Sequence, residues 1–117
     1  MSLKLETRKV DDVTVVDVSG RITLGEGSSV IRDTIRDLVA KGDKKILLNL
    51  ADVTYIDSSG IGELVAGYTS VANAGGDLKL LSLTKRVKDL LQITKLYTVF
   101  DVQETEAHAI RSFAATA

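Results

Sequence analysis

One unit of this chain leaves little freedom of fold. Lys45-Ile-Leu-Leu-Asn-Leu50 is an apolar run with large side chains toward both faces, as expected of a central strand covered on both sides. A helical stripe follows. Ile61, Leu64, Val65, Tyr68, Val71 and Ala72 stand at offsets 0, 3, 4, 7, 10 and 11, close to a 3.6-residue period. The segment Asp52-Val-Thr-Tyr-Ile-Asp-Ser-Ser-Gly-Ile-Gly62 joins the two and places Asp57, Ser58 and Ser59 at the helix entrance. A helix start has unpaired backbone N–H groups and the positive end of the dipole, so it tolerates added negative charge, a phosphate included.

The rest of the chain repeats the same alternation. Leu3 to Lys9 alternates weakly and reads as an edge strand, and Asp11-Asp12 as a turn. Val13-Thr-Val-Val-Asp-Val18 is β-branched and strand-like, with Gly20 expected to end it. Leu24-Gly-Glu-Gly-Ser-Ser29 reads as a polar loop before a helix with Val30, Ile31, Ile35, Leu38 and Val39 on one face. Gly42 follows Lys41 as a C-terminal stop for that helix. Asn73-Ala-Gly-Gly76 stops the helix that starts at the serine turn, and Asp77-Leu-Lys-Leu-Leu81 is a further strand. Thr84 caps a short helix whose inner face is Val87, Leu90 and Leu91. Val99-Phe-Asp-Val102 reads as a short last strand. Residues 104–115 read as a final helix with Ala107, Ile110, Phe113 and Ala114 inward.

The order is therefore ββαβαβαβα. Right-handed crossovers make this an α/β fold, a mixed or parallel central sheet packed against about four helices. At 117 residues the expectation is a single domain over residues 1–117. Hydrophobic residues make up 44%, enough for a real core.

Composition excludes several function classes. A net charge of -1 gives no strong field toward nucleic acid or an anionic membrane. No apolar run approaches the roughly 20 residues that span a bilayer, and the N-terminus lacks the apolar run of a signal peptide. The expected location is the cytoplasm. With no cysteine, disulfides, thiolate catalysis and thiolate metal sites are out, and the one histidine, His108, cannot build a multi-histidine metal site. No cofactor is expected.

The serine turn has two readings. Asp57, Ser58 and Ser59 are all good helix caps, and Gly60 and Gly62 would then allow close helix–sheet packing. A cap, however, needs only one such residue, and two glycines early in a helix cost about 1 kcal/mol each relative to alanine. That cost points to something needing the space above the turn.

The segment resembles the phosphoacceptor turn of the anti-sigma factor antagonists, small bacterial STAS-domain proteins. The resemblance extends over nearly the whole chain. It includes the strand end at Gly20, the Ala74-Gly75-Gly76-Asp77-Leu78 turn and the stretch Val87-Lys-Asp-Leu-Leu-Gln-Ile-Thr-Lys-Leu96. It implies the STAS fold and a phosphorylation-switched binding module, with the phosphate accepted by Ser58. It also implies partner switching. The unphosphorylated protein binds an anti-sigma factor that is itself a serine kinase, supplying ATP and Mg²⁺, and so releases a sigma factor. Phosphorylation ends binding and a separate serine phosphatase restores it. Asp57 would orient the Ser58 hydroxyl, Ser59 would support the turn, and Gly60, Gly62 and Thr23 would lie on the same partner surface; Glu63, one turn into the helix, reads either as part of that surface or as a solvated helix residue. Many antagonists carry acids where this chain has Arg21 and Thr23.

Two other classes stay beside this one: a STAS interaction or scaffold module that is never phosphorylated, and a serine hydrolase. Against the hydrolase, Ser59-Gly-Ile-Gly62 lacks a Gly-x-Ser-x-Gly elbow, and the only base available is His108, expected to be exposed on the last helix. Gly25-Glu-Gly27 lacks the Lys-Ser/Thr of a phosphate loop. Lys85-Arg-Val-Lys88 reads as a solvated basic face, with contact to an acidic partner patch as its alternative. No coiled coil or exposed apolar stripe demands a multimer, so a monomer or weak dimer is expected.

Overall fold

A hairpin opens the chain. Leu3–Val10 (β1) runs antiparallel to Val13–Ile22 (β2), with Asp11 at the turn in a left-handed conformation. The structure, a computed structural model, describes residues 3–23 and 25–114. Every later strand is parallel to β2: Lys45–Ile56 (β3) beside it, then Asp77–Leu81 (β4), then the two-residue Val102–Gln103 (β5). The spatial order is the chain order, giving a five-stranded mixed sheet. The connections are helices Glu26–Ala40 (α1), Ser58–Asn73 (α2) and Lys85–Ile93 (α3), and Glu106–Ala114 (α4) closes the chain. This is the ββαβαβαβα order read from the sequence.

Alternation along the strands sorts the core into two clusters. Val16, Val18, Ile46, Leu48, Leu50, Leu78 and Leu80 face α1, α2 and α3, meeting Ile31, Ile35, Leu64, Val71, Val87 and Leu91. Val13, Val15, Leu47 and Leu81 face the other way and meet Ala109 and Phe113 of α4. The first face is covered by three helices and the second only in part. Lys79, also buried, survives there because its ammonium reaches Ser112 Oγ at 2.9 Å and Asp101 at 3.2 Å, and lies 4.8 Å from the centre of the Phe113 ring.

Several boundaries differ from expectation. β2 does not end at Gly20 but runs to Ile22, taking up register shifts between Asp17 and Ser19 and between Gly20 and Arg21, with Gly20 at φ 105°. β3 does not end at Leu50. Asp52 and Thr54 point to solvent while Val53 and Ile56 are buried, so the polar residues hid a strand that continues beside β2. The loop expected over 24–29 is already helical from Glu26; Leu24 lies outside the described residues. Gly42, at φ 91°, does stop α1: its N–H bonds Val39 O and that of Asp43 bonds Leu38 O, both at 3.0 Å.

The last strand is shorter and later than 99–102. Phe100 instead enters the core edge-on to Tyr68, with ring centres 5.7 Å apart. On α4 the inward residues are Ala109 and Phe113, with Ile110 beside them, while Ala107 and Ala114 are exposed; residue 115 lies outside the described residues. A nine-residue helix on a small apolar patch presents one i, i+4 pair, not a full stripe. Ala72 is likewise exposed, at the edge of the α2 stripe.

Candidate functional site: the Ser58 turn

The turn after β3 is fixed from two directions. The Asp57 N–H bonds the carbonyl of Ile22 at 3.2 Å, locking the turn to the end of β2. Asp57 is also the N-cap of α2: its Oδ1 accepts the Gly60 N–H at 2.8 Å and its carbonyl accepts the Ile61 N–H at 3.0 Å. One residue thus satisfies two of the donors at the helix start. Ser58, the first residue of α2, is exposed, and Ser59 is half-buried.

The two glycines do different work. A Cβ at Gly60 would lie 2.5 Å from Ile22 O, 2.7 Å from Ile56 Cγ1 and 2.8 Å from Ile22 Cγ2. Only glycine lets the first turn of α2 sit this close to the strand ends. A Cβ at Gly62 would meet nothing within 4 Å. Close packing therefore accounts for Gly60 and not for Gly62, which leaves open space over the turn.

Thr23, half-buried, follows Ile22 directly and so joins Asp57, Ser58, Ser59, Gly60 and Gly62 at the carboxyl ends of β2 and β3. Glu63 turns elsewhere. Its carboxylate bonds Arg32 of α1 at 2.6 and 3.3 Å, raising that guanidinium above its ordinary value chiefly through the hydrogen bond. The pair lines a groove of about 250 Å³ between α1 and α2, together with Ile35, Val39 and Gly67. His108 lies on α4, across the sheet from α2, so no serine–histidine pair forms with Ser58 or Ser59.

Beside the turn, Tyr55 pairs in register with Arg21, one residue before the Ile22–Ile56 pair. The Arg21 guanidinium carbon lies 4.6 Å from the Tyr55 ring centre and that of Arg86, from the first turn of α3, lies 4.4 Å from it. Neighbouring Lys85 bonds Asp89 at 2.8 Å.

A second charged cluster occupies the far face of the sheet. Arg8 of β1 donates to Asp17 at 2.7 and 3.1 Å and to Glu106 of α4 at 2.6 and 3.1 Å, and Asn49 donates to Asp17 at 2.9 Å. The hydrogen bonds from Arg8 hold both carboxyls below their ordinary values, and the carboxylates raise the guanidinium in return, Glu106 foremost.

A STAS-domain family model matches residues 4–109. The chain belongs to the STAS domain family. The anti-sigma-B factor antagonist of Bacillus subtilis is 31% identical over 103 residues, 87% of this chain and 92% of the relative. The crystal structure of a Thermotoga maritima protein assigned as an anti-sigma factor antagonist is similar at a TM-score of 0.86, with 27% identity and 94% of each chain covered. SpoIIAA of Bacillus in its phosphorylated form shares the fold, at a TM-score of 0.72 and 21% identity, covering 93% of this chain and 98% of that one.

Around the STAS turn, sequence reasoning singled out Arg21 and Arg86 but not Tyr55, which brings them together. Its one signal was an aromatic residue three positions before Ser58, in a stretch that did not read as strand. The tie of Glu63 to Arg32 and the Arg8 cluster left no such signal, since the partners come from separate elements.

Proposed function

We propose that this STAS domain is an anti-sigma factor antagonist whose binding surface is centred on the Ser58 turn and switched by phosphorylation of Ser58. The observation that carries this reading is that Asp57 already caps α2, leaving the neighbouring Ser58 hydroxyl exposed at the helix start. Capping does not require Ser58, and the dipole there favours a phosphate. The relatives, by name, are antagonists of anti-sigma factors. Such proteins act by binding.

The partner is an anti-sigma factor that is also a serine kinase, bringing its own ATP and Mg²⁺. A serine phosphatase reverses the mark, and the setting is the cytoplasm. Among the described residues no helix is long and apolar enough to cross a membrane. Asp57 orients the Ser58 hydroxyl, Ser59 and Gly60 hold the turn in place, and Gly62 and Thr23 border the surface. Phosphate adds about -1.5 to -2 charges and three acceptor oxygens. A desolvated or like-charge contact at an interface costs several kcal/mol, and every 1.4 kcal/mol is about tenfold in affinity. One phosphate then weakens binding by about a hundredfold or more with the fold unchanged.

The test is to purify the protein from its native host, map phosphate by intact mass and peptide sequencing, and capture the kinase with Ser58→Ala. Ser58→Ala is expected to bind the kinase and accept no phosphate. Ser58→Asp is expected to bind weakly with an unchanged melting curve. Tight binding by Ser58→Asp overturns the charge switch, and a Ser58 that is unmodified under all growth conditions favours the unphosphorylated scaffold.

A further inference from the structure

We propose that Arg21, Tyr55 and Arg86 form a docking platform for an acidic segment of the partner protein that binds the Ser58 turn. This deepens the binding function proposed above and rests on it. Three features of the structure lead to the platform.

The first is uncompensated charge. Both guanidiniums approach one ring, at 4.6 and 4.4 Å from its centre. Among the described residues neither forms an ion pair, although Arg8, Arg32 and Lys85 all do. Both side chains are exposed. Two like charges at one ring repel each other, and carboxylates arriving from outside relieve the repulsion.

The second is placement against local preference. Lys85, Arg86 and Lys88 crowd the first turn of α3, where no acidic residue stands. Cations at the positive end of a helix are disfavoured. Helix stability alone would place acids there.

The third is position and stiffness. Tyr55 precedes Ser58 by three residues, which cannot span more than about 11 Å. A partner covering the Ser58 turn therefore reaches the platform. The half-buried ring holds both guanidiniums in place, so less freedom is lost when they bind. Planar guanidiniums pair with carboxylates in a two-pronged geometry, which suits an Asp- or Glu-bearing segment. A nucleic acid fits less well, because this is a local patch on a chain of net charge -1.

The test is a titration of the ¹⁵N-labelled full chain followed by amide NMR. The probes are a Glu-Gly repeat peptide, a Gln-Gly peptide of equal length and a thymidine oligonucleotide. The Glu-Gly peptide is expected to move the amides of Arg21, Tyr55, Arg86 and their neighbours, and the Gln-Gly peptide to move none. Raising ionic strength from 0.01 to 0.15 M shortens the screening length from about 30 to about 8 Å and is expected to weaken binding about tenfold. Arg21→Glu with Arg86→Glu should abolish the shifts, whereas Lys41→Glu with Lys44→Glu, the same charge change elsewhere, should leave them. Shifts spread over the lysines, or retained in the double arginine variant, overturn the platform. Tighter binding of the oligonucleotide at the same amides overturns it in favour of nucleic acid. The titration does not depend on Ser58 phosphorylation, so its failure and that of the charge switch are separate results.

Discussion

Arginine is used in opposite ways at two places on this sheet. Arg8 is saturated: two carboxylates and, through Asp17, an asparagine amide complete a closed network that ties α4 to β1 and β2. Arg21 and Arg86 are held in place by an aromatic ring but not neutralised. The first arrangement spends its hydrogen bonds on the fold. The second leaves them for another molecule, next to a turn whose backbone is rigid and whose hydroxyl is exposed. The contrast suggests where to look for function in a small domain: at charge that is positioned and still lacks a counter-charge.

The rigidity of the turn carries the largest expected effect. Gly60→Ala puts a methyl group into Ile22 O and the side chains of Ile22 and Ile56. Carbonyl and strand ends cannot move without disturbing the core, so the expected loss is about 2–3 kcal/mol by denaturant melt. Gly62→Ala meets open space and is expected to stabilise the helix by about 0.5–1 kcal/mol. If the two variants melt alike, the turn is not the rigid frame described above.

The saturated cluster comes next. Arg8→Ala leaves Asp17 and Glu106 facing each other without their cation, but both are partly exposed, so screening limits the expected loss to about 1 kcal/mol. Faster hydrogen exchange in α4 should accompany it. The pH dependence has a definite sign. Both carboxyls lie below their ordinary values when folded, so they stabilise the protein above their unfolded values of about 4 and lose that contribution as pH falls further. Arg8, raised from an already high value, stays charged and adds no alkaline window. Urea melts between pH 7 and pH 3 should show the wild type losing more stability than Arg8→Ala, and parallel losses would break the assignment.

What the sequence revealed follows from how far each signal extends. The α2 stripe from Ile61 to Val71, the Asp57 cap and the strand from Lys45 are patterns within a few residues, and each stands where the residues put it. The continuation of β3 past Leu50 was hidden because Asp52 and Thr54 face solvent beside buried Val53 and Ile56. A half-exposed strand end then looks like a loop. The end of β2 was hidden because Gly20 breaks strands in most settings and here sits at a shift of register. Arg8 and Glu106 are 98 positions apart, and Arg21, Tyr55 and Arg86 come from three elements, so periodicity could not join them. The separate roles of Gly60 and Gly62, two positions apart, became visible only when the strand ends came up against one of them.

The smallest expected effect is the one that tests the comparison most sharply. Arg86→Ala removes a cation–π contact worth about 0.5–1 kcal/mol at an exposed site. It also removes a cation from the positive end of α3, a gain of about 0.3–1 kcal/mol. The two nearly cancel, so stability should change by less than about 0.5 kcal/mol. Arg21→Ala has no helix term and should lose slightly more, still less than Arg8→Ala. Thermal and urea melts of the three variants under one buffer decide it. If either platform arginine costs as much as Arg8, the fold depends on it and it is not held in reserve for a partner. If neither does, the two guanidiniums over the Tyr55 ring serve something other than stability.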